Sequence, residues 1–203
     1  MAENNKYLVI TDIHGSNYYA NKISEICKRE NPDKIILLGD LYYHGPRNPL
    51  PKEYNPMKVA ELLNSLKEKI LCVKGNCDAE VDEMISEFEF KDNIELNING
   101  KKFFFTHGQK YNMENIPKEI NVLVYGHFHT GFIKEKDGVI CVNSGSISLP
   151  KNNTKNSYLI IENNKIVEQV FKKIAHHNIT KFVVEEASLN EIFIAKVGAS
   201  YDE

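Results

Sequence analysis

Seven side chains suited to binding divalent metal ions stand at the ends of short apolar runs: Asp12, His14, Asp40, Asn76, His107, His127 and His129. Carboxylate oxygens, an amide oxygen and imidazole nitrogens together suit a borderline ion such as Mn²⁺, Fe²⁺ or Zn²⁺, and the set exceeds what one tetrahedral zinc takes. Two ions fit it better than one. A lone histidine is ordinarily a hydrogen-bonded core or surface residue, but repetition at separate run ends weakens that explanation here. Asp12 and His14 are two residues apart, as are His127 and His129, so on an extended segment each pair points one way and can chelate.

The elements that must position these groups are legible as apolar runs. Lys6 to Thr11 reads as a buried strand emptying into Asp12-Ile13-His14-Gly15, and Ala20, Ile23, Ile26 and Cys27 recur at helical spacing until Asn31-Pro32 ends the pattern. Ile35 to Leu38 opens a second such unit, leading to Gly39-Asp40 and a helix with Val59, Leu62, Leu63 and Leu66 on one face. Ile70 to Val73 leads to Gly75-Asn76-Cys77-Asp78 and a third helix with Val81, Met84 and Ile85 on one face. Three successive strands thus deliver polar residues at their C-terminal ends, where open α/β sheets bind ligands. Beyond Asp92, the turns Asn99-Gly100, Asp137-Gly138 and Asn163-Asn164 predict a mostly antiparallel half. Within it, Phe103–Phe105 and Val122–Tyr125 run into Thr106-His107-Gly108 and Gly126-His127-Phe128-His129.

In order and spacing, these five motifs resemble the signature of the calcineurin-like metallophosphoesterases, over about residues 6 to 170. The stretch Gly39-Asp40-Leu41-Tyr42-Tyr43-His44-Gly45-Pro46-Arg47-Asn48, with Cys77, most resembles the small bacterial phosphodiesterases of that superfamily. The resemblance implies an α/β fold, a four-layer αββα sandwich of two mixed sheets. It implies one metal held by Asp12, His14 and His129, a second by Asn76, His107 and His127, and Asp40 as the bridge. It also implies a phosphoesterase, by preference a phosphodiesterase, in which a bridging hydroxide attacks phosphorus in line. Manganese is the expected metal, with zinc, iron or nickel as alternatives.

Cys77 departs from the wider family, which carries a histidine after Gly-Asn that is thought to protonate the leaving oxygen. A thiol serves less readily, so substrates with good leaving groups are expected; the alternative is that Cys77 is only a small wall residue. Asp78 is either a residue that orients ligands or a charge at a helix N-terminus. His44 and Arg47, in the long loop from Gly45 to Pro56 and just before it, are candidates for substrate phosphate. Tyr42-Tyr43 could line an aryl or base pocket or an interface. Asn143-Ser144-Gly145-Ser146 resembles a structural turn beneath the family's site, and His176-His177 reads as a surface pair.

Composition bounds the rest. A chain of 203 residues with 42% hydrophobic and 26% charged residues reads as one metallophosphoesterase domain, residues 1–171, with an extension, residues 172–203. That extension is expected to hold a strand at Lys181–Glu185 and a helix bearing Leu189, Ile192, Phe193 and Val197. Its residues 185–198 resemble the C-terminal tail of ABC-transporter ATPase subunits and suggest packing or homo-oligomerisation. A net charge of −3 argues against polymeric nucleic acid as partner, and the resemblance implies a small phosphate ester as substrate. No apolar run spans a membrane and no export pattern is seen, so the expected location is the cytoplasm, with Cys27, Cys72, Cys77 and Cys141 as free thiols rather than disulfides. The alternative function is a non-catalytic interaction scaffold of the same fold, like a retromer coat subunit whose site has decayed.

Overall fold

The structure, a computed structural model, describes residues 5–162 and the two short segments 182–183 and 196–197. In the first sheet β1 (Lys6–Ile10), β2 (Lys34–Leu37), β3 (Ile70–Val73) and β4 (Phe90–Lys91) run parallel, and β10 (Leu159–Glu162) pairs antiparallel with β1, in the order β10-β1-β2-β3-β4. Helix α1 (Asn17–Glu30) starts where the Ser16 hydroxyl accepts from Tyr19 N–H and stops at Asn31, whose left-handed backbone turns the chain before Pro32. Helix α2 (Pro56–Asn64) has Asn55 as its cap and proline at its first position. With the short α3 (Glu80–Ile85) these helices lie on the outer face of the sheet, over a core that includes Leu8, Ile10, Ile23, Ile35, Leu37 and Leu63. Full burial of such side chains stabilises the fold by about 1.5–3 kcal/mol each.

The second sheet has the order β5-β6-β7-β9-β8, built from β5 (Ile94–Ile98), β6 (Lys101–Phe105), β7 (Val122–Tyr125), β8 (Gly131–Lys136) and β9 (Val139–Ser144). Its inner face meets the first sheet through Ile94, Phe103, Phe105, Val124 and Val142 against Val9, Ile36, Leu38 and Val73. Its outer face, with Phe104, Leu123, Tyr125 and Cys141, is covered by the irregular stretch that carries Tyr111, Met113, Ile116 and Ile120. The two mixed sheets and the helices expected are therefore present, the fourth layer being non-helical among the described residues.

Three local expectations change. The second half is not mostly antiparallel: the hairpins at Asn99-Gly100 and Asp137-Gly138 form, but β6, β7 and β9 run parallel at the centre of the sheet. Turn residues report only pairing between neighbours in sequence. Helix α3 keeps Ile85 against the core but turns Val81, 59% exposed, and Met84, 84% exposed, to solvent and buries Asp82, whose carboxylate turns inward to accept from Ala79 N–H at 2.7 Å. In the extension, a strand β11 (Phe182–Val183) forms within the expected stretch, but Val197 lies in a strand, β12 (Lys196–Val197), paired antiparallel with β11, rather than on a helix. Leu189, Ile192, Phe193, His176-His177 and Asn163-Asn164 lie outside the described residues.

Candidate metal centre

All seven predicted groups converge at the C-terminal ends of β1, β2, β3, β6 and β7. On one side His14 Nε2 lies 3.2 Å from His129 Nε2, and Asp12 Oδ1 lies 3.5 Å from the first and 3.2 Å from the second. On the other, His107 Nε2 lies 3.0 Å from Asn76 Oδ1 and 3.2 Å from His127 Nδ1. Asp40 stands between, with Oδ2 3.7 Å from His14 Nε2 and Oδ1 3.4 Å from His107 Nε2.

The local backbone differs from the extended segments expected for the two-apart pairs. Asp12, His14, Asp40, His127 and His129 all have φ between 51° and 65°, in the left-handed region that costs a non-glycine residue roughly 1–2 kcal/mol. Left-handed residues alternating with ordinary ones, Asp12 and His14 about Ile13 and His127 and His129 about Phe128, replace the expected extended run where both members of each pair meet the cleft. Such strain persists only where surrounding contacts over-determine it. Here the Asp12 carbonyl accepts from the hydroxyls of Ser146 and Ser148, both at 2.8 Å, and Asn143 Nδ2 donates to the Gly126 carbonyl at 2.7 Å. The 143–146 turn is thus the structural support expected beneath the site. Gly75 and Gly126 permit close approach, since a Cβ on Gly75 would lie 2.2 Å from Asp40 Oδ1 and one on Gly126 2.1 Å from Thr11 Oγ1.

The hydrogen bonds around the imidazoles fix which nitrogen faces the centre. His14 Nδ1 lies 2.8 Å from the Tyr43 carbonyl, His107 Nδ1 2.6 Å from that of Leu38 and His129 Nδ1 2.5 Å from that of Leu149. A carbonyl only accepts, so each Nδ1 carries a proton, and in the neutral ring each Nε2 presents a lone pair. Asp12 Oδ2 takes Thr11 Oγ1–H at 2.7 Å and His127 N–H at 3.0 Å, while its buried Oδ1 makes no hydrogen bond. In the neutral rings, two imidazole lone pairs and a carboxylate oxygen therefore face one another acceptor to acceptor, an arrangement that a cation relieves. The residues present fit a divalent ion at Asp12, His14 and His129, and the oxygen and nitrogen set at Asn76, His107, His127 and Asp40 fits a second.

Electrostatics agree. Burial disfavours charge on Asp12, yet the imidazoles of His129 and His14 hold its carboxyl far below the usual carboxylate range. Burial likewise opposes the His107 imidazolium, but Asp40 and Asp12 bring it up to about 9, and Asp12 and Asp40 raise His14 against its own burial. Burial and neighbouring His107 lower His127.

Among the remaining candidates, Cys77 joins the site: its N–H donates to Asp40 Oδ1 at 2.8 Å, and Asn76 Nδ2 approaches Sγ at 3.3 Å. Burial and Asp40 push its thiol up to about 12. Asp78 ties together the loops that carry Asp40 and Asn76, as its carboxylate accepts from the N–H groups of Asp40, Leu41 and Gly75. The His44 ring packs edge-on between Tyr43 and Tyr54, with its buried Nδ1 making no hydrogen bond among the described residues. Arg47 is exposed on the same loop, with no ion pair among the described residues. Tyr42 is core, its hydroxyl 2.6 Å from Ser86 Oγ, so only Tyr43 of that pair is exposed. The four cysteines are free thiols. Sequence reading missed Ser148 and the carbonyls of Tyr43 and Leu149; a backbone acceptor leaves no residue-type signal.

Two facing mixed sheets with this donor set at their strand ends define a metallophosphoesterase. The chain belongs to the calcineurin-like phosphoesterase superfamily, whose domain profile matches residues 6–165. It is similar to the phosphodiesterase YfcE of Escherichia coli, 37% identical over 161 residues that cover 78% of this chain and 88% of the relative. The solved structure of that phosphoesterase matches with a TM-score of 0.75 at 36% identity, covering 78% of this chain and 89% of the other. The probable metallophosphoesterase YsnB of Bacillus subtilis is 26% identical over 163 residues, 76% of this chain and 82% of the relative. Vacuolar protein sorting 29 from Cryptosporidium parvum shares the fold alone, at 16% identity and a TM-score of 0.54, over 78% of this chain and 85% of that one. No helix among the described residues is long and apolar enough to cross a membrane.

Proposed function

We propose that the protein is a phosphodiesterase working on small phosphate esters through two divalent ions, manganese by preference. One ion is assigned to Asp12, His14 and His129, the other to Asn76, His107 and His127, and Asp40 to both. The observation that carries the reading is the convergence of His14 Nε2, His129 Nε2 and the unpartnered Asp12 Oδ1 within 3.2–3.5 Å. When bound, two such ions supply Lewis acidity to phosphoryl oxygens and bring the pKa of water towards ~7, which furnishes the nucleophile for in-line displacement.

The chain's own groups do the rest. Nδ1–H donation to the Tyr43, Leu38 and Leu149 carbonyls holds three imidazoles in one tautomer and one orientation. Cys77, neutral at physiological pH, offers the departing oxygen no readily released proton, which favours ester arms that leave as stable anions. Arg47, exposed and without an ion pair among the described residues, is a cation of the adjoining loop available to a phosphate oxygen. The scaffold alternative fits poorly because all seven ligand positions are filled. The relative named a phosphodiesterase, 37% identical, supports the diester assignment.

The test is hydrolysis of bis-p-nitrophenyl phosphate and p-nitrophenyl phosphate by chelator-stripped protein, with and without Mn²⁺, beside Asp40→Ala. The expected result is diester turnover restored by metal and absent from the variant. Protein that stays inert to both esters after addition of Mn²⁺, and binds no manganese, would move the reading to the scaffold.

A further inference from the structure

Large aromatic side chains are buried or half-buried throughout the described residues, with two exceptions: Tyr43 is 43% and Phe128 45% exposed. Both sit on the loops that carry the metal-binding groups. The Tyr43 carbonyl accepts from His14 Nδ1 at 2.8 Å, and Phe128 stands between His127 and His129 in the chain. Neither ring is loose. Tyr43 packs edge-on against His44 with centroids 4.8 Å apart, and His44 against Tyr54 at 5.3 Å. Tyr54 in turn lies on Gly15, beside His14, where a Cβ would come within 2.5 Å of its ring. Phe128 packs edge-on against His127 at 5.1 Å. The loop bearing Tyr43 also borders Cys77, since a Cβ on Gly45 would lie 3.3 Å from its sulfur.

Two exposed rings, each packed edge-on against neighbours on the loops that carry the seven groups, with Phe128 also edge-on to Tyr125 at 6.1 Å, suit a flat aromatic group better than a flexible alkyl one, because rings ordered in advance lose little freedom when an aromatic group stacks on them. We propose that Tyr43, backed by His44 and Tyr54, and Phe128, backed by His127, form aromatic subsites flanking the metal centre, and that they select phosphodiesters whose ester arms are planar aromatic groups. This rests on the phosphodiesterase reading and adds the substrate class to it. Aryl and nucleobase-bearing arms share the chemistry that the rings recognise.

The experiment compares bis-p-nitrophenyl phosphate with methyl p-nitrophenyl phosphate on manganese-loaded protein. The two share a leaving group and differ only in the arm retained. In Tyr43→Ala and Phe128→Ala the ratio of kcat/KM for the bis-aryl over the methyl ester should fall about fivefold or more, mainly through KM, while Tyr43→Phe keeps the wild-type ratio. Calorimetric titration of the same proteins with phenylphosphonate and methylphosphonate should show the preference for the aryl compound shrinking in the alanine variants. A ratio unchanged in both alanine variants overturns the aromatic subsites while leaving the phosphodiesterase reading intact. Wild-type protein that hydrolyses neither ester removes that reading, and this inference with it.

Discussion

The Asp78 carboxylate accepts the backbone N–H of Asp40 at 2.8 Å with one oxygen, and through the same oxygen that of Gly75 at 2.7 Å. Its other oxygen accepts from Leu41 N–H at 2.8 Å. One buried side chain thus ties the loop after β2 to the loop after β3, and so sets Asp40 relative to Asn76. In Asp78→Asn, one end of the side chain becomes an NH₂ that must face a backbone donor. The expected result is a loss of about 1–3 kcal/mol in urea unfolding and about 10–100-fold weaker Mn²⁺ binding by calorimetry, the usual cost of removing a group that orients ligands. Wild-type manganese affinity in this variant would show that the tie matters to folding only.

Cys77 gives a second prediction. Its thiol is held neutral by burial and by Asp40, up to about 12, so it is a poor proton donor to a leaving alkoxide. A titratable imidazole or carboxyl there restores a donor, and general acids contribute ~10²–10⁴ in rate where the leaving group needs one. Cys77→His and Cys77→Asp should therefore shift turnover of p-nitrophenyl phosphate relative to bis-p-nitrophenyl phosphate, and should relax the dependence on leaving-group acidity across a series of aryl esters. If both variants keep the wild-type ratio, Cys77 is a wall residue and nothing more.

The candidate site is largely legible in sequence because each candidate ligand follows an apolar strand closely, so Asp12, His14, Asp40, His107, His127 and His129 stand out as polar residues where a strand should end. What was not legible depends on long-range contact. Asp78 reads as a helix-start acid until the two loops that it bridges are seen together. Helix α3 has six residues, too few for apolar periodicity to outweigh one inward hydrogen bond, so Val81 and Met84 were assigned to the wrong face. The parallel run β6-β7-β9 is hidden because both its hairpins, which are visible, lie at the sheet's edges. The left-handed backbone at five candidate ligands leaves no trace in apolar periodicity, although aspartate and histidine are, with asparagine, the non-glycine types that adopt it most readily.

Proton occupancy of the metal-free centre gives a pH prediction. His107 is raised from an ordinary 6.5 up to about 9 in the fold, with burial opposing and Asp40 and Asp12 favouring its proton. A raised imidazole pKa stabilises the fold fully below the unfolded value and ceases to do so as pH climbs through the folded value. The chelator-treated protein should thus lose stability between about pH 6.5 and about pH 9, by up to about 3 kcal/mol from this group. Manganese competes for the same lone pair, so its affinity should rise over that window, with protons released on binding. Urea midpoints with and without metal, and calorimetry in buffers of differing ionisation enthalpy, check both halves. A flat metal-free profile would falsify the proton's role.

The unpartnered Asp12 Oδ1 gives the last prediction, in which stability and function move in opposite directions. Oδ2 is committed to two donors, Thr11 Oγ1–H and His127 N–H. An asparagine at this position must therefore place its carbonyl oxygen at Oδ2 and its NH₂ at Oδ1. That NH₂ then points at the Nε2 lone pairs of His14 and His129, where wild type sets acceptor against acceptor at 3.5 and 3.2 Å. With both Nε2 atoms unprotonated at high pH, Asp12→Asn should melt higher than the metal-free wild type, with a gain of about 1–3 kcal/mol from satisfying buried polar groups. The same variant should show no manganese-induced rise in Tm and no metal-dependent ester hydrolysis, because the anionic ligand is gone. A variant less stable than wild type under those conditions would mean that the Asp12 charge, not its missing partner, dominates the energetics of the empty cluster.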